Sequence, residues 1–164
     1  MKKTICSLLT VSLIGLLIFS CGKNNDTQLT ITGQLISNST CKNDLKSSSE
    51  IVETPDSLSC VDYSFDIEKN KLTIKHINAT FNCCPDGLYC EIELKGDTIL
   101  IQEFEYSAQC YCNCLYDLNI EVTGVEQRNY QVKFVEPYVS GQNKLEFEID
   151  LVEVTDGSYC VTRK

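Results

Sequence analysis

The residues best placed for chemistry are cysteines. Cys110, Cys112 and Cys114 alternate with Tyr111 and Asn113, Cys83 and Cys84 are adjacent, and Cys90 follows shortly after. Read as a strand, the run from Cys110 to Val122 puts Cys110, Cys112, Cys114, Tyr116, Leu118, Ile120 and Val122 on one apolar face. Side chains two apart on a strand are parallel and sit about 6.6 Å apart at Cα, at the far edge of disulfide reach. The three cysteines should therefore look to other strands. Cys83 and Cys84, about 3.8 Å apart at Cα, are too close to pair with each other without strain. Cross-strand disulfides among Cys83, Cys84, Cys90, Cys110, Cys112 and Cys114 are the favoured expectation. The competing chemistry is metal binding. Three thiolates on one face, with Cys83, Cys84 and the sole histidine, His76, could hold Cu(I) or Zn(II), both of which accept sulfur. The spacing is CxCxC, however, with neither the CxxC pairs of zinc sites nor a CxxC redox pair. No metal ligand set is assigned and no cofactor is implied.

Nucleophilic catalysis has little to work with. A nucleophile–histidine–carboxylate array could use only His76, which lies in Lys75-His76-Ile77-Asn78 with no Gly-x-Ser-x-Gly nearby. Its expected place is a strand surface or a sheet edge. The pairs Glu103/Glu105 and Glu146/Glu148 fall on strand faces where solvated charge is the ordinary case. Tryptophan is absent and the tyrosines are scattered along the chain, so no sugar-stacking platform can be located. The chain reads as a binding or structural module, not an enzyme.

These residues need strands to position them. Leu145, Phe147, Ile149 and Leu151 alternate with Glu146, Glu148 and Asp150, and the phase flips after Leu151, predicting a bulge or strand end. Leu72–Lys75 and Tyr130–Phe134 alternate likewise. Gly96-Asp97 separates two such runs, with glycine first, as in a two-residue type II′ hairpin turn. No helical stripe follows residue 21. The expected fold is all-β, an antiparallel sandwich or open barrel of about seven to nine short strands.

The head of the chain carries a different signal. Lys2 and Lys3 precede an apolar run from Leu8 to Phe19, then Ser20 and Cys21. The run is shorter than the roughly 20 residues needed to span a bilayer, and the order resembles a bacterial lipoprotein signal peptide. Residues 1–20 would be removed and Cys21 acylated, anchoring the chain to a lipid bilayer. The alternatives are an ordinary secretory signal and an uncleaved anchor. Residues 21–28 then read as a lipidated cysteine and polar tether, and residues 29–164 as one cysteine-rich β domain. Within it residues 37–59, with seven serines and two threonines, read as a long polar loop.

Loss of the signal removes two lysines and no acid, moving the net charge from −9 to −11. Charge-driven binding to nucleic acid is excluded. Past Cys21 nine cysteines remain, an odd number, so an oxidising compartment would allow at most four internal bridges and leave one thiol.

Residues 70–125, with His76-Ile77-Asn78-Ala79-Thr80-Phe81-Asn82-Cys83-Cys84 and the run Cys110 to Leu118 (CxCxCxYDL), resemble a group of envelope lipoproteins from gut Bacteroidetes. The resemblance implies a β-type lipoprotein of the bacterial envelope, with the outer membrane as its expected location. It supplies no activity. The partners it leaves open are an envelope protein or a glycan. Such bacteria also O-glycosylate Asp-Ser/Thr before an apolar residue, a pattern met at Ser57 and Thr98, Ser57 being the better placed.

Overall fold

A computed structural model describes residues 30–42 and 54–164. Cys21, the signal peptide and the middle of the polar loop lie outside the described residues. The described residues form nine strands and no α-helix: β1 (Thr32–Asn38), β2 (Leu58–Asp66), β3 (Lys71–Asn82), β4 (Pro85–Lys95), β5 (Thr98–Ala108), β6 (Asn113–Thr123), β7 (Asn129–Val135), β8 (Glu146–Asp150) and β9 (Asp156–Thr162). They make two sheets, in the orders β1-β6-β3-β2-β9 and β4-β5-β7-β8. The expected all-β sandwich is what the chain adopts. The polar loop is shorter than expected, since Ser37 and Asn38 belong to β1 and Leu58 and Ser59 to β2.

Period-two patterning decides what each strand buries. Leu118, Ile120 and Val122 from β6 and Leu72 and Ile74 from β3 meet Ile99 and Ile101 from β5, all at 1% exposure or less. Gly96, at φ +62°, turns β4 into β5 as the first residue of the two-residue loop, and Lys95 pairs with Thr98 across it. β8 ends at Asp150, where the phase flip predicts an ending.

Two features depart from the simple pattern. β5 and β7 pair in parallel. The intervening β6 lies in the other sheet, so the chain crosses the sandwich and returns in its former direction. In β3 the apolar phase moves from Leu72 and Ile74 to Ala79 and Phe81, which needs one extra residue. The register shift between His76 and Ala79 supplies it. Asn78 takes the left-handed conformation there at φ 64°, one that asparagine tolerates better than most residues. Its side chain holds the bulge by donating to the carbonyl of Leu58 at 2.7 Å and accepting from Lys42 at 2.7 Å.

Candidate functional site

Between the sheets lies a group of polar side chains from five separate places in the chain. His76 projects inward from β3 in phase with Leu72 and Ile74 and is wholly buried, which corrects the expectation of a surface or edge position. Glu103 enters from β5 in phase with Ile99 and Ile101 at 3% exposure, so it is no solvated strand-face charge. Ser59 comes from β2, Glu136 from the segment after β7, and Arg163 from the C-terminal end.

His76 Nδ1 lies 2.7 Å from Glu103 Oε1, and His76 Nε2 lies 2.9 Å from Ser59 Oγ and 3.7 Å from Glu136 Oε1. Arg163 Nη2 donates to both Glu136 oxygens at 2.6 Å and to Ser59 Oγ at 3.3 Å. Phe134 packs on the imidazole at 5.0 Å between centroids. Burial works to lower the pKa of His76, but the charge of Glu103 and the hydrogen bond to it prevail and raise it above the ordinary value. Glu136 is shifted upward too, chiefly by burial, against the opposing pull of His76 and Arg163. With His76 protonated, two cations face two carboxylates and the cluster is neutral as a whole, the condition under which buried charge is tolerated.

Ser59, His76 and Glu103 have the hydrogen-bond order of a hydrolytic triad. The chemistry does not follow from the distances. Ser59 and His76 are both at zero exposure, so the hydroxyl and the imidazole face no solvent. His76, Glu103 and Glu136 could also converge on a cation. Their oxygens and nitrogens are already engaged with one another and with Arg163, whose charge opposes a metal. Within this cluster, Glu103 Oε2 is buried without a hydrogen-bond partner.

The cysteines lie elsewhere. Cys83 pairs with Cys112 and Cys84 with Cys110, with Cα atoms 5.5 and 5.8 Å apart. Cys114 does not join them: it faces the core from β6 and bridges to Cys41, at 5.6 Å. Cys110 and Cys112 precede β6, so the three cysteines do not share one strand face as the pattern suggested. Cys90 carries no bridge, which corrects its place among the disulfide candidates. It sits opposite Glu103 in the β4–β5 pair, and burial, then the Glu103 charge, push its thiol well above the ordinary range. A fourth bridge, Cys60–Cys160, lies outside the expected set and joins directly paired residues of β2 and β9. His76 is no neighbour of any thiol cluster among the described residues.

On the outer face of β4 and β5 the fold gathers aromatic rings that looked scattered. Tyr89 stacks on Phe104 at 5.0 Å and on Tyr106 at 4.5 Å, and Tyr106 remains 55% exposed. Glu91 and Gln102, a cross-strand pair, share that face. Ser57 lies exposed in the turn before β2, and Thr98 half-buried at the start of β5. No helix among the described residues is long and apolar enough to cross a membrane.

Alternation carried part of this site. His76 and Glu103 each continue an apolar phase, and that phase places them inside. Ser59, Glu136 and Arg163 had no such signal, because only the closing of the sandwich brings them together. Scans against family models, curated proteins and solved structures gave no match to the chain.

Proposed function

We propose that this protein is a lipid-anchored module of the bacterial envelope that binds a glycan through the outer face of β4–β5 and catalyses no reaction. The observation that carries the reading is the contrast between its two polar-aromatic groups. The cluster with catalytic residue types is sealed, whereas the aromatic stack with a carboxylate and an amide beside it faces solvent. Aromatic rings offer flat apolar area to a sugar ring, and Glu91 and Gln102 offer acceptors to its hydroxyls.

The address rests on two supports. Eight of the nine cysteines among the described residues are bridged, as suits a protein kept in an oxidising compartment. The order Lys2-Lys3, apolar run, Ser20-Cys21 supplies the anchor, with the likeness to Bacteroidetes envelope lipoproteins pointing to the outer membrane.

Two measurements test the reading. Cys21→Ser should abolish acylation and move the protein from the detergent phase to the aqueous phase. Tyr89→Ala and Tyr106→Ala should weaken retention on immobilised envelope polysaccharide at least tenfold. Retention unchanged by both substitutions, or a hydrolytic activity lost on Ser59→Ala, would overturn it.

A further inference from the structure

We propose that Cys83, Cys110 and Cys112, once the bridges Cys83–Cys112 and Cys84–Cys110 are reduced, form a three-thiolate site for Cu(I) at the junction between β3–β6 and β4–β5. Two bridges here hold what the backbone already holds. Asn82 pairs with Asn113 on one side of the junction and Pro85 with Ala108 on the other. The bridges span nearly the same loop, with sequence separations of 29 and 26, so once one is closed the other closes a ring of only a few residues. The second staple therefore adds little restraint to the fold.

The gathering of the four cysteines does not depend on the sulfur–sulfur bonds. Asn82 is 5% exposed, and its Oδ1 accepts from the amides of Cys84 and Cys110 at 3.1 and 3.3 Å. Its Nδ2 donates to the Cys110 carbonyl at 2.5 Å, and the Cys83 amide donates to the Cys112 carbonyl at 3.0 Å. Tyr116 Oη and Glu105 Oε2 hold the backbone of Asn82 itself, at 3.1 and 2.8 Å. All four cysteine backbones are thus clamped through hydrogen bonds that survive reduction, which preorganises a ligand set.

The sulfurs of Cys83, Cys110 and Cys112 all lie within 4.8 Å of one another. A thiolate shell with metal–sulfur bonds of about 2.3 Å places its sulfurs about 3.8 Å apart, so the bonded sulfurs of Cys83 and Cys112 must part on reduction while Cys110 already lies within reach of both. Three converging soft ligands, with the fourth sulfur outside the group, suit three-coordinate Cu(I) better than Zn(II), whose structural sites take four. The junction is also open to delivery, since Cys112 and Tyr111 are exposed. Of the other two bridges, Cys41–Cys114 is the more shielded, with Cys114 at 1% exposure, whereas Cys60–Cys160 joins a buried Cys60 to an exposed Cys160, so its closure is verified directly.

Each junction bridge opens by taking two electrons and two protons from a dithiol reductant, which leaves as its own disulfide. Three thiols then release their protons to solvent as the Cu–S bonds form, and copper remains Cu(I). The experiment uses the full chain as processed by its host, treated anaerobically with limiting dithiothreitol that is then removed. Alkylation and mass mapping verify that Cys41–Cys114 and Cys60–Cys160 stay closed. Cu(I) is offered as its bicinchoninate complex.

The expected result is withdrawal of one Cu(I) per reduced chain and none by the oxidised chain. Cys110→Ser should weaken it at least tenfold, the pair Cys83→Ser with Cys112→Ser should abolish it, and Cys90→Ser should leave it unchanged. Circular dichroism verifies that each variant keeps its strands, and the comparison of oxidised with reduced parent decides the matter where a variant does not fold. Equal withdrawal by oxidised and reduced chains, withdrawal retained by the Cys83/Cys112 double variant, or a preference for Zn(II) requiring all four thiols would overturn the assignment.

Discussion

His76 Nδ1 lies 2.7 Å from Glu103 Oε1, and the two residues belong to opposite sheets, so a buried hydrogen bond, an ion pair when His76 is protonated, ties the layers of the sandwich together. Charge in such a place stabilises only while its partners are present.

Removing one partner should therefore cost far more than removing both. Glu103→Leu or His76→Leu alone is expected to destabilise the fold by about 3–5 kcal/mol. The double variant should cost less than the sum, with a coupling of about 0.5–3 kcal/mol read from a denaturation cycle. Additive losses would mean that the pair does not interact energetically.

Stability should fall as pH rises. His76 has a folded pKa above its unfolded value, so its contribution is complete below about pH 6.5 and is lost as pH climbs through the folded value. Glu136 has the same sign at lower pH, because its raised pKa makes ionisation more costly in the folded state than in the unfolded one. Melting temperatures from pH 5 to pH 9 should decline on the alkaline side, and His76→Gln should flatten that decline. A parent curve that rises above pH 6.5 would contradict the assignment.

The four bridges should differ in weight. Chain-entropy arguments put Cys60–Cys160 and Cys41–Cys114, with sequence separations of 100 and 73, at roughly 4–5 kcal/mol each. The same arithmetic gives roughly 3.5 kcal/mol for a lone bridge at the junction. Because the two junction bridges overlap, replacing Cys84 and Cys110 by alanine should cost well under that. Urea unfolding of the three paired-alanine variants would rank them.

Asn78 offers a test of the β3 bulge. Asn78→Ala keeps a Cβ in left-handed backbone, at about 1–2 kcal/mol, and loses the bonds to Leu58 and Lys42. Asn78→Gly loses the same bonds without that backbone cost, so alanine should be the more damaging of the two by thermal denaturation.

Alternation by itself determined the all-β class, the hairpin at Gly96-Asp97, the end of β8 and the inward faces of β6 and β8, since a period of two fixes which side chains share a face. The odd cysteine count likewise implied a leftover thiol, which Cys90 provides among the described residues. Only the tertiary structure decided that Cys114 meets Cys41, that Cys60 meets Cys160, and that Ser59, His76, Glu103, Glu136 and Arg163 share one buried cluster. The physical reason is that alternation says which way a residue points and nothing about what stands opposite. That is settled by sheet order and by how the sheets face each other, through contacts between residues as far apart in the chain as Ser59 and Arg163.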